Sequence, residues 1–159
     1  MSEQTVIDIP MGAGFFRRLA AWIYDVLVLT AVEMLAVALV MSGFAIAFSL
    51  GVSLEEYIDA SDFLSRHPVA SPLFTAYIAL VAVMFFGYFW SKGGQTLGMR
   101  AWKLRIQNVD GTRITFSQAL VRMATSAFGL GNLVVLIDSN NQSLQDMMAK
   151  CQTIKLNQV

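Results

Sequence analysis

Two carboxylates inside an otherwise apolar stretch are the residues of this chain best placed to do chemistry. Asp25 and Glu33 are the only charged residues between Leu19 and Leu54. An ionised carboxylate inside a bilayer costs roughly 2.5–3.5 kcal/mol on insertion scales, so such acids are functional hypotheses by default. Asp25 would line a polar pathway for protons or small cations, with Glu33 behind it near mid-membrane. The structural alternatives are that another helix satisfies Asp25 and that Glu33 is neutral or lies near a water defect.

Two arginines accompany these acids. Arg18 precedes Asp25 by seven residues, nearly two turns, which puts both on one helix face about 10 Å apart. Helical side chains lean toward the N-terminus, so Asp25 needs a water, an ion or a group from another segment rather than Arg18. The sequence leaves two roles open for Arg18, a functional one and that of a basic residue that fixes the topology. Arg122 either snorkels to the interface or pairs with an acid.

Other chemistries lack the residues they require. The chain has one histidine, His67, and one cysteine, Cys151, which excludes a His-based metal cluster, a charge relay and a disulfide framework. Ser91–Thr96 is rich in glycine but lacks the Gly-Lys-Ser/Thr order of a phosphate loop. Ser143 and Asp146 match a capping box, and capping is the role that these residues favour for Asp146. We therefore expect no enzyme, no cofactor and no metal site.

Composition indicates which kind of protein holds these residues. The 159 residues carry eleven basic and eleven acidic side chains, 56% are hydrophobic and only 14% are charged, where a soluble domain carries about 25%. Disorder needs low hydrophobicity and a nucleic-acid binder needs a basic excess. The chain is therefore predicted to be one small integral membrane domain whose partner is the lipid bilayer and not nucleic acid.

The predicted fold is an all-α integral membrane protein with two transmembrane helices. A third, short apolar segment is either re-entrant or spanning, because Met123 to Ile137 has fifteen residues and a span needs about 20. The predicted segments are an N-terminal cytoplasmic segment 1–18, a first span 19–50, an acidic outer loop 51–68, a second span 69–90, a cytoplasmic hairpin region 91–118, a third apolar segment 119–138 and a C-terminal segment 139–159.

A small amphipathic hairpin is predicted between the second and third apolar segments. Leu104 and Ile106 alternate with polar residues, the pattern of a strand with one buried face. Asp110-Gly111 supplies a turn, and Ile114 would begin the return strand. Thr115 and Gln118 form a capping box for a helix that starts near Phe116.

The placement of basic residues predicts the orientation. Arg17 and Arg18 precede the first span, and four basic residues follow the second, while the loop between the spans is acidic. The positive-inside rule then puts the N-terminus and both basic flanks in the cytoplasm. No cleavable signal peptide is expected, so the chain is predicted to be a multi-pass protein of the cytoplasmic (inner) membrane.

Three ordered stretches carry a recognisable pattern. They are AGFFRRLAAWIYD at 13–25, GQTLG at 94–98 with the KLRI, DG and ALVR that follow it, and SLQDMMAK at 143–150 with the TI that follows. Together they resemble the RDD family of small membrane proteins, named for an arginine and two aspartates. The resemblance implies that Arg18, Asp25 and Asp146 are these three residues and that Arg122 is typical of the family. Met99 and Gln145 depart from a usual lysine and a common histidine.

The resemblance implies a role in transport, since some members look like sodium/proton antiporters, while others appear as adaptors in membrane assemblies. Our leading expectation is transport of protons and monovalent cations through Asp25, with Asp146 receiving or guiding the ions and Arg18 setting the local potential. The alternative is a non-transporting adaptor whose Arg/Asp network is structural. Two spans enclose little pathway, so we expect a homo-oligomer or a larger membrane complex, with Gly43 and Ala47 as a small-xxx-small contact.

Overall fold

The computed structural model describes residues 12–54 and 56–156, apart from the side chains of residues 127 and 128. Parts of three predicted segments therefore lie outside the described residues: residues 1–11, residue 55 and residues 157–159. The chain divides into two compact units. We call residues 26–85 the apolar unit and the described residues 12–25 and 86–156 the strand unit.

Two helices are long and apolar enough to cross a membrane. Helix α1 covers Phe15–Ser49 and helix α3 covers Ala70–Gly93, which confirms the two predicted transmembrane helices. At 1.5 Å per residue α1 is roughly 50 Å long, well over the roughly 30 Å of hydrocarbon in a bilayer. Helix α1 begins in the strand unit and continues through the apolar unit, so each unit contains part of its length.

The predicted acidic outer loop contains a helix that the sequence did not reveal. Helix α2 covers Ala60–Arg66, and the carboxylate of Asp59 caps it by accepting a hydrogen bond from the Asp62 amide at 2.9 Å. Its Phe63 ring packs against Phe44 of α1, with ring centroids 5.7 Å apart. A cap and an aromatic contact thus support a helix within a segment that was predicted only as an acidic loop.

The strand unit contains four short helical segments and two strands. Its sheet is antiparallel, with Leu104 opposite Lys155 at one end and Asn108 opposite Cys151 at the other. Gly12 forms a further bridge to Ile154, so both ends of the described chain meet in this unit. The elements, in chain order, are α4 (Leu97–Ala101), β1 (Leu104–Asn108), α5 (Phe116–Thr125), a 3₁₀ helix (Ala127–Leu136), α6 (Leu144–Met148) and β2 (Cys151–Lys155).

The predicted hairpin is wrong in its second strand. The turn at Asp110-Gly111 forms, and the Asn108 amide donates to the Thr112 carbonyl at 2.9 Å, but Ile114 begins no strand and is buried in the core. The partner of β1 is β2, more than forty residues later in the chain. An alternating pattern identifies a strand but not the strand that pairs with it, which tertiary packing decides.

The third apolar segment is two helices and not one. Helix α5 begins at Phe116 behind the predicted Thr115–Gln118 capping box, which is confirmed. The axis then bends by 80° into the 3₁₀ helix. The break follows Ser126, whose carbonyl accepts from the amides of Gly129 and Gly131.

Helix α4 packs closely against α1 because residue 98 is a glycine. A Cβ atom built on Gly98 would lie 2.8 Å from the Oδ1 atom of Asp25 and would also collide with the backbone carbonyl of Ala21. Backbone atoms cannot move aside as a flexible side chain can. The close approach of the two helices therefore depends on the missing side chain.

We predict that Gly98→Ala unfolds or severely destabilises the strand unit, because the new methyl group collides with two α1 groups. Gly43→Ala is the matched control, since no described atom beyond its own stretch of helix lies within 4 Å of a Cβ at Gly43 and alanine favours a helix by up to about 1 kcal/mol. Thermal unfolding in detergent would show a large fall in melting temperature for Gly98→Ala and none for Gly43→Ala. Equal melting temperatures for both variants would contradict the close approach.

Candidate functional site

Asp146 lies at the start of α6 and completes a capping box there. The Ser143 hydroxyl accepts from the Asp146 amide, and the Asp146 carboxylate accepts from the Ser143 amide, both at 3.4 Å. The capping role predicted for Asp146 is therefore confirmed. Its side chain is fully buried, so the carboxylate needs further partners within the fold.

Those partners are the two arginines that the sequence singled out. Arg18 donates from Nη1 to Oδ2 of Asp146 at 2.7 Å, and Arg122 donates from Nη1 to Oδ1. The Thr153 hydroxyl adds a third bond, to Oδ1 at 2.9 Å. One carboxylate thus connects α1, α5, α6 and β2, and we call Arg18, Arg122, Asp146 and Thr153 the arginine–aspartate cluster.

Arg18 does more than balance the Asp146 charge. Its Nε donates to the Ala13 carbonyl at 2.7 Å and its Nη2 to the Asn141 carbonyl at 2.8 Å. The guanidinium therefore holds the segment before α1 and the loop before α6 in one planar array, which a lysine could not reproduce. Arg18 leans toward its own N-terminus, as predicted.

Arg122 is buried and pairs with an acid, which settles the alternative left open by its sequence position. Its guanidinium carbon lies 5.3 Å from the centre of the Trp90 ring, within cation–π range. Its Nη1 also donates to the Cys151 sulfur at 2.9 Å. Among the described residues, its Nε atom and the indole nitrogen of Trp90 have no hydrogen-bond partner.

The electrostatics of the cluster are set by two cations around one anion. Burial alone would raise the pKa of the Asp146 carboxyl, but Arg122 and Arg18 outweigh it and hold that pKa well below its ordinary value. Asp146 is therefore ionised throughout the physiological pH range. Burial raises the pKa of the neighbouring Cys151 thiol, although Arg122 opposes this shift, so Cys151 remains a thiol near neutral pH.

Asp25 is engaged at a separate place, with the N-terminus of α4. Thr96 donates its hydroxyl to Oδ2 of Asp25 at 2.5 Å, and the Gly98 amide donates to Oδ1 at 2.8 Å. The group from another segment that Asp25 was expected to need is thus the first turn of α4. In the described structure, Asp25 and Arg18 share no hydrogen bond, in line with the sequence argument.

Glu33 takes part neither in the arginine–aspartate cluster nor in the contact between Asp25 and α4. It lies in the apolar unit, is half-buried, and makes no hydrogen bond or ion pair with any of the residues that the structure describes. The fold thus brings together Arg18, Arg122 and Asp146 among the five predicted site residues. It places Asp25 of α1 against the first turn of α4 and leaves Glu33 without a described partner.

Sequence reasoning missed several residues of the site. Thr96 is fully buried and caps α4, but its stretch was compared only with a phosphate loop; the available signal was the threonine itself, a preferred N-cap residue. Thr153 and Cys151 enter the cluster only because β2 pairs with β1. Gln145, at the position of a common histidine, donates to the Asn132 side chain at 2.8 Å and has no described bond to the three name-giving residues.

The fold and the cluster define a membrane protein of two candidate spanning helices, with a compact strand unit held together by buried arginine–aspartate pairs. The family model described as RDD family matches residues 12–150, which include all four of Arg18, Asp25, Arg122 and Asp146. The chain belongs to the RDD family. A search of the curated proteins and a search of the solved structures each found no match.

We predict that Asp146→Asn destabilises the protein by roughly 3–5 kcal/mol, because it leaves buried guanidinium groups without their counter-charge. Asp62→Asn is the matched control. Its partner Arg66 is largely exposed, so the loss of this ion pair lowers the free energy of unfolding by about 1 kcal/mol or less. Both variants would be melted in detergent and compared with wild type.

The same variant has a definite pH dependence. A carboxyl whose folded pKa is lowered contributes its stabilisation above its unfolded pKa of about 4, and loses it as the pH falls toward the folded pKa. The difference in the free energy of unfolding between wild type and Asp146→Asn should be constant from neutral pH down to the unfolded pKa of the carboxyl. Below that pH the difference should shrink. A gap that instead narrows between neutral and mildly acidic pH would contradict the lowered pKa of Asp146.

Proposed function

We propose that this chain is a non-transporting membrane adaptor or assembly protein, in which the arginine–aspartate cluster is structural. The observation that carries the proposal is the saturation of Asp146. A carboxylate offers about four acceptor positions, and Asp146 receives Arg122 and Thr153 on one oxygen and Arg18 and the Ser143 amide on the other. An ionised, buried and fully bonded group is poorly suited to exchange protons or cations.

The bonds of Asp25 also support a structural role. They attach the first turn of α4 to α1, and the backbone of Gly98 fits there only without a side chain. An asparagine at position 25 would keep the bond from the Gly98 amide and offer its own N–H to the Thr96 hydroxyl, which accepts as well as donates. The attachment therefore requires a hydrogen-bonding group at Asp25 more than a charge.

The spanning helices leave room for a partner. The described residues leave most of the surface of α1 and α3 uncovered, so lipid, a second copy or the helices of a larger complex can cover it. Membrane helices associate through close packing and polar contacts rather than through a hydrophobic drive. An adaptor would use these faces while the strand unit stays rigid.

The second candidate function is transport of protons and monovalent cations, and Glu33 is the observation that favours it. It is an acid within a helix able to span a membrane, with no described partner in the apolar unit. Among the described residues, Asp25 also finds donors for only two of its roughly four acceptor positions. A pathway would then include Glu33 and Asp25, while Asp146 would serve only to hold the fold.

Reconstitution separates the two functions. The full chain would be placed in liposomes with a trapped pH dye, and sodium, potassium or lithium would be added outside. Wild type would be compared with Asp25→Asn, Glu33→Gln and the outer-loop control Glu56→Gln at equal insertion. The adaptor proposal predicts that all four respond like empty liposomes and that Asp25→Asn lowers stability by only about 1 kcal/mol, the difference between a charged and a neutral hydrogen bond.

Cation-driven pH change in wild type that disappears in Asp25→Asn or Glu33→Gln, but persists in Glu56→Gln, would contradict the adaptor proposal and establish transport. A folded Asp25→Asn protein without flux would also show that the charge of Asp25, and not only its hydrogen bonds, carries the activity.

A further inference from the structure

The 3₁₀ helix exposes one continuous apolar face. In a 3₁₀ helix residues three apart lie directly above one another, and Leu130, Leu133 and Leu136 follow this spacing with 65%, 49% and 60% of their surface exposed. Asn132 and Val135, also three apart, are buried against the strand unit. One face of the helix is thus buried within the strand unit. The other face, formed by Leu130, Leu133 and Leu136, is apolar and has no described partner, and we call it the leucine face.

This helix does not cross the membrane, because the strands that come before and after this segment pair with each other. Strand β1 precedes α5 and strand β2 follows α6, and the two strands are hydrogen-bonded along their whole length. A single crossing between them would put paired strands on opposite sides of the bilayer. Ten residues of 3₁₀ helix also extend only about 20 Å, short of the roughly 30 Å of hydrocarbon.

A contact with α1 indicates the depth of the leucine face. The backbone of Gly129, at the start of the 3₁₀ helix, lies directly against the indole of Trp22, since a Cβ there would be 2.9 Å from that ring. Trp22 is in the second turn of the first spanning helix. Tryptophan in such a position is typical of the membrane–water interface, where its ring lies at headgroup level.

The charge of the strand unit favours an anionic partner for this face. The described strand unit carries ten basic and four acidic residues, a net charge of +6. Several of these basic side chains are exposed, among them Arg17, Lys92, Arg100, Lys103 and Lys150. Such a surface attracts anionic headgroups and repels a second copy of itself. Three leucines also fall far short of the roughly 20–30 residues a side in a stable protein interface.

We propose that the leucine face is a lipid-docking surface, embedded at the headgroup–acyl boundary of the same bilayer that α1 and α3 cross. The 3₁₀ helix lies in the plane of the membrane, with its leucines in the upper acyl region and the basic side chains of the strand unit against anionic headgroups. The strand unit is thereby held at the membrane surface at a third place besides the two spans.

Fluorescence depth measurement tests this placement. Leu133→Cys and Ser139→Cys would each be labelled with an environment-sensitive fluorophore in the full chain and reconstituted into vesicles of phosphatidylcholine and phosphatidylglycerol. Both positions are exposed, so neither substitution disturbs the core, and melting in detergent would verify this. Wild type, treated in parallel, gives the background from the buried Cys151.

The proposal predicts that the label at position 133 emits further to the blue than the label at 139, resists aqueous iodide, and is quenched more by lipids with a nitroxide near the headgroup than near the acyl end. Iodide quenching at 133 equal to that at 139 would overturn it. So would shielding of position 133 from both iodide and lipid quenchers, which would mean that protein covers the face, or strongest quenching at the acyl end, which would mean deep insertion.

Discussion

A single buried carboxylate, that of Asp146, holds the strand unit together. Its two oxygens accept from Arg18, Arg122, Thr153 and the Ser143 amide, which brings the start of α1, the last turn of α5 and strand β2 to one point. Two guanidinium groups in a buried place would be very costly without that charge. The lowered pKa of Asp146 follows from the same arrangement, and a buried carboxylate held ionised in this way is the basis of the adaptor proposal.

Asp25 and Asp146, the two aspartates that the family resemblance singled out, form similar contacts at different places. Each accepts hydrogen bonds at the first turn of a short helix, Asp146 at α6 and Asp25 at α4. Helices of five residues are not stable alone, so a capping carboxylate fixed by other elements gives them a defined position. Glu33 shares none of this, and for that reason it is the acid on which a transport function would depend most.

Local signals in the sequence predicted the elements, and tertiary contacts decided the rest. The length of the apolar runs predicted α1 and α3, and the capping boxes at Thr115 and Ser143 predicted the starts of α5 and α6. Asp25 and Arg18 were singled out by their place in an apolar stretch and their spacing, and the resemblance to the family added Asp146 as a site residue. The pairing of β1 with β2, and with it the place of Thr153, depends on contacts between distant residues, which alternation alone does not specify.

A double-mutant cycle on Arg122 and Asp146 tests the central claim most directly. Arg122→Gln, Asp146→Asn and the double variant would be melted in detergent beside the same cycle on Arg66 and Asp62, a helix pair whose arginine is largely exposed. The account predicts a coupling energy of about 1–3 kcal/mol for the buried pair and about 0.3–0.5 kcal/mol for the helix pair of α2. Additive effects at Arg122 and Asp146, with coupling no larger than between Arg66 and Asp62, would contradict it.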